Sequence, residues 1–416
     1  MRQFRTDTLF ANSVYLMLST VVQAFFGFVF WFLNARLFTP ADIGLASALI
    51  SASTFIAYLS LLGFNSTFVR FLPTSNQRND KLNTGLILVL GTGIVVAAGY
   101  IFLIPQIAPD MSFAAHGLYA AGFVVLSALA AANLLTDSVF IAYRSSSYNL
   151  LIYTIQSVAK LAFPLLFLGL GAYGVFMASG AAAAVAFGLS LYFMIRRFGY
   201  KPAAKVSGSV IRKVLSFSSA SYAANLLNII PTLVLPLIIV DRLGAEQAGF
   251  YYLAFMLANL VYTVAYSVSQ SLFAEGSYGE EGFRHLLTRA TVFLMAIMIP
   301  VGVGLALVGP FAVGIFGKAY GAGAAGVIVV LALAAPAVAA YVLCCVVLRI
   351  THQIVALVAI NVVYVLSICG LAWLWADRGL TWIAGAWLVG NVLTALTGMG
   401  AIAAGRSRRK SLPQTA

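Results

Sequence analysis

Twelve separate runs of more than twenty residues, each almost free of charge, fall along this chain. They cover about 9–33, 43–64, 83–104, 117–143, 149–170, 173–195, 214–240, 248–271, 286–308, 325–348, 353–375 and 381–404. A run of roughly 20 apolar residues is the length needed to cross the hydrocarbon of a bilayer as a helix. In lipid every backbone N–H and C=O must be satisfied internally, which leaves helices as the only reading for runs of this kind. The expected fold is therefore all-α and integral to the membrane, with twelve transmembrane helices. The links are short, so no soluble domain is attached. Composition agrees: 62% of the 416 residues are hydrophobic and 8% charged, against about 25% charged in soluble domains.

The net charge of +13 resembles a nucleic-acid footprint until it is sorted by side. With the N-terminus inside, 19 of the 24 Lys and Arg fall in inside segments, including Arg70, Arg144, Arg196, Arg197, Arg289 and Arg349. This is the positive-inside bias of membrane proteins. It predicts both termini in the cytoplasm and no nucleic-acid partner. The first apolar run is too long for the core of a cleavable signal peptide. Cys344, Cys345 and Cys369 all fall in spans, so no disulfide or metal spacing is present.

The inside link from Arg196 to Lys213 divides six spans from six, giving an N-terminal lobe over 1–200 and a C-terminal lobe over 201–416. ARLFTPADIGLASAL follows span one and DRLGAEQAGFYYLAF follows span seven. Each places Arg-Leu at a helix exit, an acid in the turn and a glycine opening the next helix. Six is an even number, so the lobes form a parallel repeat about an axis along the membrane normal. In transporters built this way, substrate sits between the halves and access alternates.

Side chains at helical spacing share a face. Span one carries Asn12, Ser19, Gln23 and Asn34, and span two carries Ser47, Ser51, Thr54, Tyr58 and Asn65. Span seven carries Ser221, Asn225, Asn228 and Thr232, and span eight carries Tyr252, Asn259, Tyr266 and Gln270. Such groups commonly glue membrane helices together; four stripes at matching places in two halves point instead to a wet central cavity, with tyrosines suited to a sugar. Pro231, Pro236 and Pro336 are candidate bends.

One span holds a lysine at its centre. Lys160 lies eleven residues from Asn149, about 16 Å deep at 1.5 Å per residue. Charges at such depth face a bundle interior or a watery path. Asp137, on the preceding helix, is within reach for an ion pair across the hairpin. Two readings stand side by side: a buried structural pair, or a cationic contact for an anionic substrate with Asp137 competing for the lysine or taking a proton. Arg70, Arg144, Arg289 and Arg349, near inner helix ends, form a candidate basic mouth below it; ordinary snorkelling is the alternative for each, and the favoured one for Arg349.

ARLFTPADIG, FVRFLP, DRLGAEQAGFYYLA and GPFAVGIFGKAYGAGAAGVIVVLALAAP stand in order along most of the chain. In these stretches the chain resembles the Wzx-type polysaccharide and O-antigen flippases, the polysaccharide transporter branch of the multidrug/oligosaccharidyl-lipid/polysaccharide exporter superfamily. The resemblance implies two six-helix lobes around a V-shaped central lumen, an isoprenoid-diphosphate-linked oligosaccharide as substrate, and an inner-membrane location. It also implies a cationic lumen, proton-linked exchange with an ion gradient and no cofactor, and Arg70 and Lys160 facing the diphosphate or acidic sugars; Asp137, from its place on the preceding helix, is the candidate coupling group. A polysaccharide polymerase and chain-length proteins are the implied partners beside membrane lipids. A cation-coupled multidrug exporter is the first alternative, for which Asp137 is the only acid placed inside the membrane. An enzyme of envelope assembly is the second; the longest outer loop, around Gly309 to Gly326, offers Lys318 and Tyr320 but no acid or histidine, and no nucleophile constellation emerges.

Overall fold

The computed structural model describes residues 2–276 and 283–411. It is built of helices α1 (Arg2–Leu37), α2 (Pro40–Ser60), α3 (Phe64–Phe71), α4 (Arg78–Ile107), α5 (Gly117–Ala142), α6 (Ser146–Leu166), α7 (Gly171–Phe198), α8 (Gly208–Leu243), α9 (Ala245–Gly276), α10 (Phe283–Gly314), α11 (Lys318–Leu333), α12 (Ala335–Ile350), α13 (Ile354–Trp375) and α14 (Leu380–Ser411). Among the described residues, eleven helices are long and apolar enough to cross a membrane. The pair α11 and α12, bent by 44°, makes a twelfth span. The helices group into two compact units, Met1–Tyr222 and Ala223–Ala416.

In the first unit, α5 is the central helix, packed by α2, α3, α4 and α7. Its alanines allow that: Ala128, Ala131 and Ala132 are buried, and Gly93 of α4 sits directly on the Ala128 backbone. Small residues let membrane helices approach closely where no hydrophobic force between helices is available. A buried ladder of rings, Tyr100, Phe123, Phe176 and Tyr173, closes one end. The Tyr173 hydroxyl donates to the Tyr119 carbonyl at 2.5 Å.

The ARLFTPADIG segment folds as a helix start. Thr39 and Asp42 form a reciprocal capping box with Pro40 in the first turn, the arrangement that answers orphan N–H groups at a helix N-terminus. The other Asp42 oxygen accepts from the Ala172 N–H at 3.1 Å. One carboxylate thus serves the starts of both α2 and α7.

The segment between α7 and α8 is clasped to α4 rather than hanging as a tether. Asn83 Oδ1 accepts from the Tyr200 hydroxyl at 2.6 Å and from the Ala203 N–H at 3.0 Å. Asn79 accepts from the Lys201 N–H, Thr84 from the Ser207 N–H, and Lys205 pairs with Asp80 at 3.1 Å.

The second unit is centred on rings. Trp387 meets Phe255, Tyr262 and Tyr364, and Tyr364 stacks on Tyr341. The break between α11 and α12 follows from Pro336, which lacks the N–H that would answer the Ala332 carbonyl; Gly302 of α10 lies against that carbonyl, and the Tyr262 hydroxyl donates to the neighbouring Leu331 carbonyl at 2.5 Å. The expected bend at Pro336 is therefore present. At Pro231 and Pro236 α8 runs on without a break.

The expected outer loop around Gly309 to Gly326 is a correction. Only Ile315, Phe316 and Gly317 separate α10 from α11. The glycines there are packing sites: a methyl at Gly309 would strike Ile328, and Gly321 would strike Gly314. A Gly-rich stretch reads as loop when its glycines are needed for helix contact.

Two corners repeat in geometry. After α5, Arg144 is left-handed (φ 54°) and the Ser145 N–H bonds the Phe140 carbonyl at 2.9 Å. After α12, His352 is left-handed (φ 56°) and the Gln353 N–H bonds the Leu348 carbonyl at 2.9 Å. Both are Schellman-type ends with the left-handed place held by a residue other than glycine. Seven residues before each corner stand Asp137 and Cys345, and nine after stand Tyr153 and Asn361.

Candidate functional site

Each unit contains an open polar cleft. In the first, helices α2, α5, α6 and α7 surround about 640 Å³ of empty space, with Ser53, Thr54, Tyr58, Asn133 and Gln156 among the lining residues. The Ser127 hydroxyl donates to Ser53 at 2.9 Å across α5 and α2. Asn133 is buried, and its side-chain Oδ1 has no hydrogen-bond partner. A buried acceptor left open is costly unless water or a ligand meets it.

One turn further along α5 lies Asp137, only 7% exposed. Its Oδ2 accepts from the Tyr153 hydroxyl of α6 at 2.5 Å, while Oδ1 has no partner. Asn149 donates to the Asp137 backbone carbonyl at 3.4 Å, and Tyr58 is close enough to sense the Asp137 charge. A carboxyl, the Tyr153 phenol and the Asn149 amide thus meet one turn along α5 from the cleft-lining Asn133.

The expected ion pair between Asp137 and Lys160 does not form. Lys160 Nζ instead sits 4.3 Å from the centre of the Phe30 ring on α1, a cation–π contact across the α1–α6 interface. The reason is axial: Lys160 lies seven residues beyond Tyr153 on α6, about 10 Å farther along the helix, so Tyr153 rather than Lys160 is level with Asp137 and takes the carboxylate. Ser146 completes the α1–α6 seam, its N–H donating to Asn12 at 2.8 Å.

The polar stripes partly serve their own helices. Ser19 and Thr54 each donate to the carbonyl four residues back, and Ser47 to the one three back. Asn34 is fully buried, donates to the Phe30 carbonyl at 2.7 Å, and keeps an unpartnered Oδ1. Asn65 likewise has an unpartnered Oδ1. Gln23 is exposed and donates weakly to Ser19, and Asn259 is exposed on α9. The side chains of Ser221 and Gln270 lie outside the described residues.

The second cleft holds about 650 Å³ of empty space between α8, α9, α12 and α13. Asn225, Asn228 and Tyr266, named from the stripes, line it together. So do Ser269, Cys345, Arg349 and Asn361. Arg349 donates to Asn225 Oδ1 at 3.4 Å. Asn228 donates to the Tyr341 hydroxyl at 2.5 Å, which in turn donates to Asn361 Oδ1 at 2.7 Å. For Arg349 the sequence favours ordinary snorkelling over a place in the basic mouth, because its position at a helix end matches either; the structure sets it in the lining of this cleft.

Arg70 at the end of α3 and Arg144 at the α5–α6 corner are exposed, and lie at the same end of the first unit as Arg78 and Lys81. Arg78 covers the Tyr143 ring at 5.7 Å. Arg289 is exposed on α10, in the second unit. Among the described residues no cluster of three His, Cys, Asp or Glu is arranged for a metal.

The polysaccharide biosynthesis protein family matches residues 33–325, well over half of the chain. No curated protein sequence matches. Among solved structures, the inward-facing conformation of a multidrug resistance MATE family transporter of the MOP superfamily aligns with a TM-score of 0.75 at 15% identity, covering 97% of this chain and 99% of that one. A MOP superfamily transporter from Pyrococcus furiosus, described as having a binding pocket of reverse polarity, aligns at 0.62 and 15% identity over 98% and 96%. An outward-facing MATE transporter of the same superfamily aligns at 0.60 and 14% identity, over 98% and 96%. These likenesses concern the fold.

Proposed function

The chain belongs to the polysaccharide biosynthesis protein family and has the fold of MOP-superfamily transporters, and from that premise we propose that it flips an isoprenoid-diphosphate-linked oligosaccharide from the inner to the outer leaflet of the cell membrane. The observation that carries this reading is the presence of a polar cleft inside each otherwise apolar helix unit. Amide and hydroxyl groups, including the open Asn133 acceptor, suit a hydrated glycan better than a flat apolar drug. A flippase forms and breaks no covalent bonds. It needs places for sugar hydroxyls, positive charge for a diphosphate, and a lipid tail left in the bilayer.

In this reading both termini are cytoplasmic, and the basic residues Arg70 and Arg144 meet the diphosphate as it enters. Lys160, with Phe30 as its resting partner, is a second cation available to the headgroup. Asp137 couples transport to a proton gradient. Polymerase and chain-length proteins are the partners that receive the flipped unit.

Deleting the gene is expected to make lipid-linked oligosaccharide accumulate in the inner leaflet, measured by accessibility to a membrane-impermeant glycan-oxidising reagent. Unchanged lipid-linked pools, with loss of amphiphilic-cation efflux instead, would move the assignment to multidrug export. Within the flippase reading, Lys160→Ala should fold but lose about tenfold in flipping rate, within the about 5–150-fold range of typical coupling energies. Lys160→Arg should retain part of it, because the cation–π contact with Phe30 survives.

A further inference from the structure

The two clefts differ in charge, and the difference assigns them different ligands. The first has no cation among its described lining residues, and the Asp137 carboxyl lies one turn along α5 from its lining residue Asn133. The second has the Arg349 guanidinium and no carboxylate among its described lining residues. Around Arg349 the polar groups are Asn225, Asn228, Tyr266 and Asn361, together with the Ser269 hydroxyl, which is 2% exposed and has no hydrogen-bond partner. A buried hydroxyl without a partner, in a cleft whose one charge is a fork of N–H donors, lacks an acceptor from outside the chain.

We propose that the cleft of the second unit is an oxyanion subsite, where Arg349 holds a phosphate or sugar carboxylate and Ser269, Asn225 and Asn228 donate to it or to the hydroxyls beside it. Guanidinium recognises both anions by the same paired N–H geometry. The first unit then handles the neutral sugars and the proton. This deepens the flippase reading, since it names the part of the substrate that the second unit takes, but the site can be tested without any flipping.

Cys345 lines the same cleft within electrostatic reach of Arg349, and so reports on it. In full-length protein carrying Cys344→Ala and Cys369→Ala, Cys345 is the remaining thiol of the three. Its reaction with an anionic sulfonatoethyl methanethiosulfonate should outpace that with the cationic trimethylammonium analogue by about tenfold, the scale on which a local field raises counter-ion encounter. Arg349→Gln should erase the preference, and Arg349→Lys should keep part of it. Protection by inorganic pyrophosphate alone would assign the subsite to the diphosphate; protection by glucuronate alone would assign it to an acidic sugar.

A charge-blind rate with no protection by either anion would overturn the proposal. If Cys345 proves unreactive, thermal stabilisation of the unmodified protein decides the matter. A rise in melting temperature with millimolar pyrophosphate or glucuronate that Arg349→Gln removes supports the site, and no rise refutes it. Anion binding without accumulation of lipid-linked glycan in the deletion strain would keep the subsite and sink the flippase reading.

Discussion

Asp137→Asn is expected to leave the protein folded and to reduce proton-driven transport by about a hundredfold, toward the upper end of the 5–150-fold that coupling free energies of about 1–3 kcal/mol represent. Asparagine preserves the shape and can still accept from the Tyr153 hydroxyl. It cannot bind and release a proton. The carboxyl in the native protein has one oxygen held by Tyr153 at 2.5 Å and the other without a partner, so a proton has a place to sit without breaking the existing bond. Ionisable groups at such depth mark proton relays in pumps and transporters. Tyr153→Phe should have the smaller effect, about fivefold on the same scale, with a displaced pH profile, because the carboxyl remains but loses its donor. Transport in proteoliposomes under an imposed pH gradient measures both. An Asp137→Asn protein that transports at the native rate with the native pH dependence would remove Asp137 from the mechanism.

The largest expected effect on stability is at Asn83, which lines neither cleft. Its side chain accepts from the Tyr200 hydroxyl and the Ala203 N–H and donates to the Lys201 carbonyl at 3.3 Å, while itself only 3% exposed. Asn83→Ala strands all three partners at once. At about 1–3 kcal/mol for each buried group left unsatisfied, with water reaching the exposed backbone of Lys201 and Ala203, the loss should be about 3 kcal/mol. Tyr200→Phe removes one bond and should cost about 1 kcal/mol. Thermal unfolding in detergent, followed by intrinsic fluorescence, would rank the two. Equal and negligible effects would show that the clasp forms without holding anything.

The sequence made the fold legible because hydrocarbon imposes a crude and strong filter. Apolar length alone located the spans, including the one broken at Pro336. It failed where a residue type has two uses. The glycines from Gly309 to Gly321 signal a loop in water but close packing in lipid, and the structure uses them for packing. The site was legible as a set of polar stripes and not as an arrangement. Helical spacing puts Lys160 about 16 Å and Asp137 about 9 Å from the inner end, a difference that the length of a lysine side chain does not close. Tyr153, level with the carboxylate, takes Asp137, and Lys160 rests on Phe30. Arg349 was hidden for the opposite reason: a basic residue at a helix end is so common that nothing local marks it. Its cleft is assembled from residues more than a hundred positions apart.

The matched corners after α5 and α12 have a consequence for how such a chain can change. Both bends are fixed by main-chain bonding around Arg144 and His352, so the frame persists whatever side chains hang from it. One copy presents an acid facing a phenol, the other a thiol facing an amide. Tandem scaffolds of this sort can therefore specialise by point substitution: each half inherits the same mould and fills it with separate chemistry, and no new architecture has to arise for the two to divide the work.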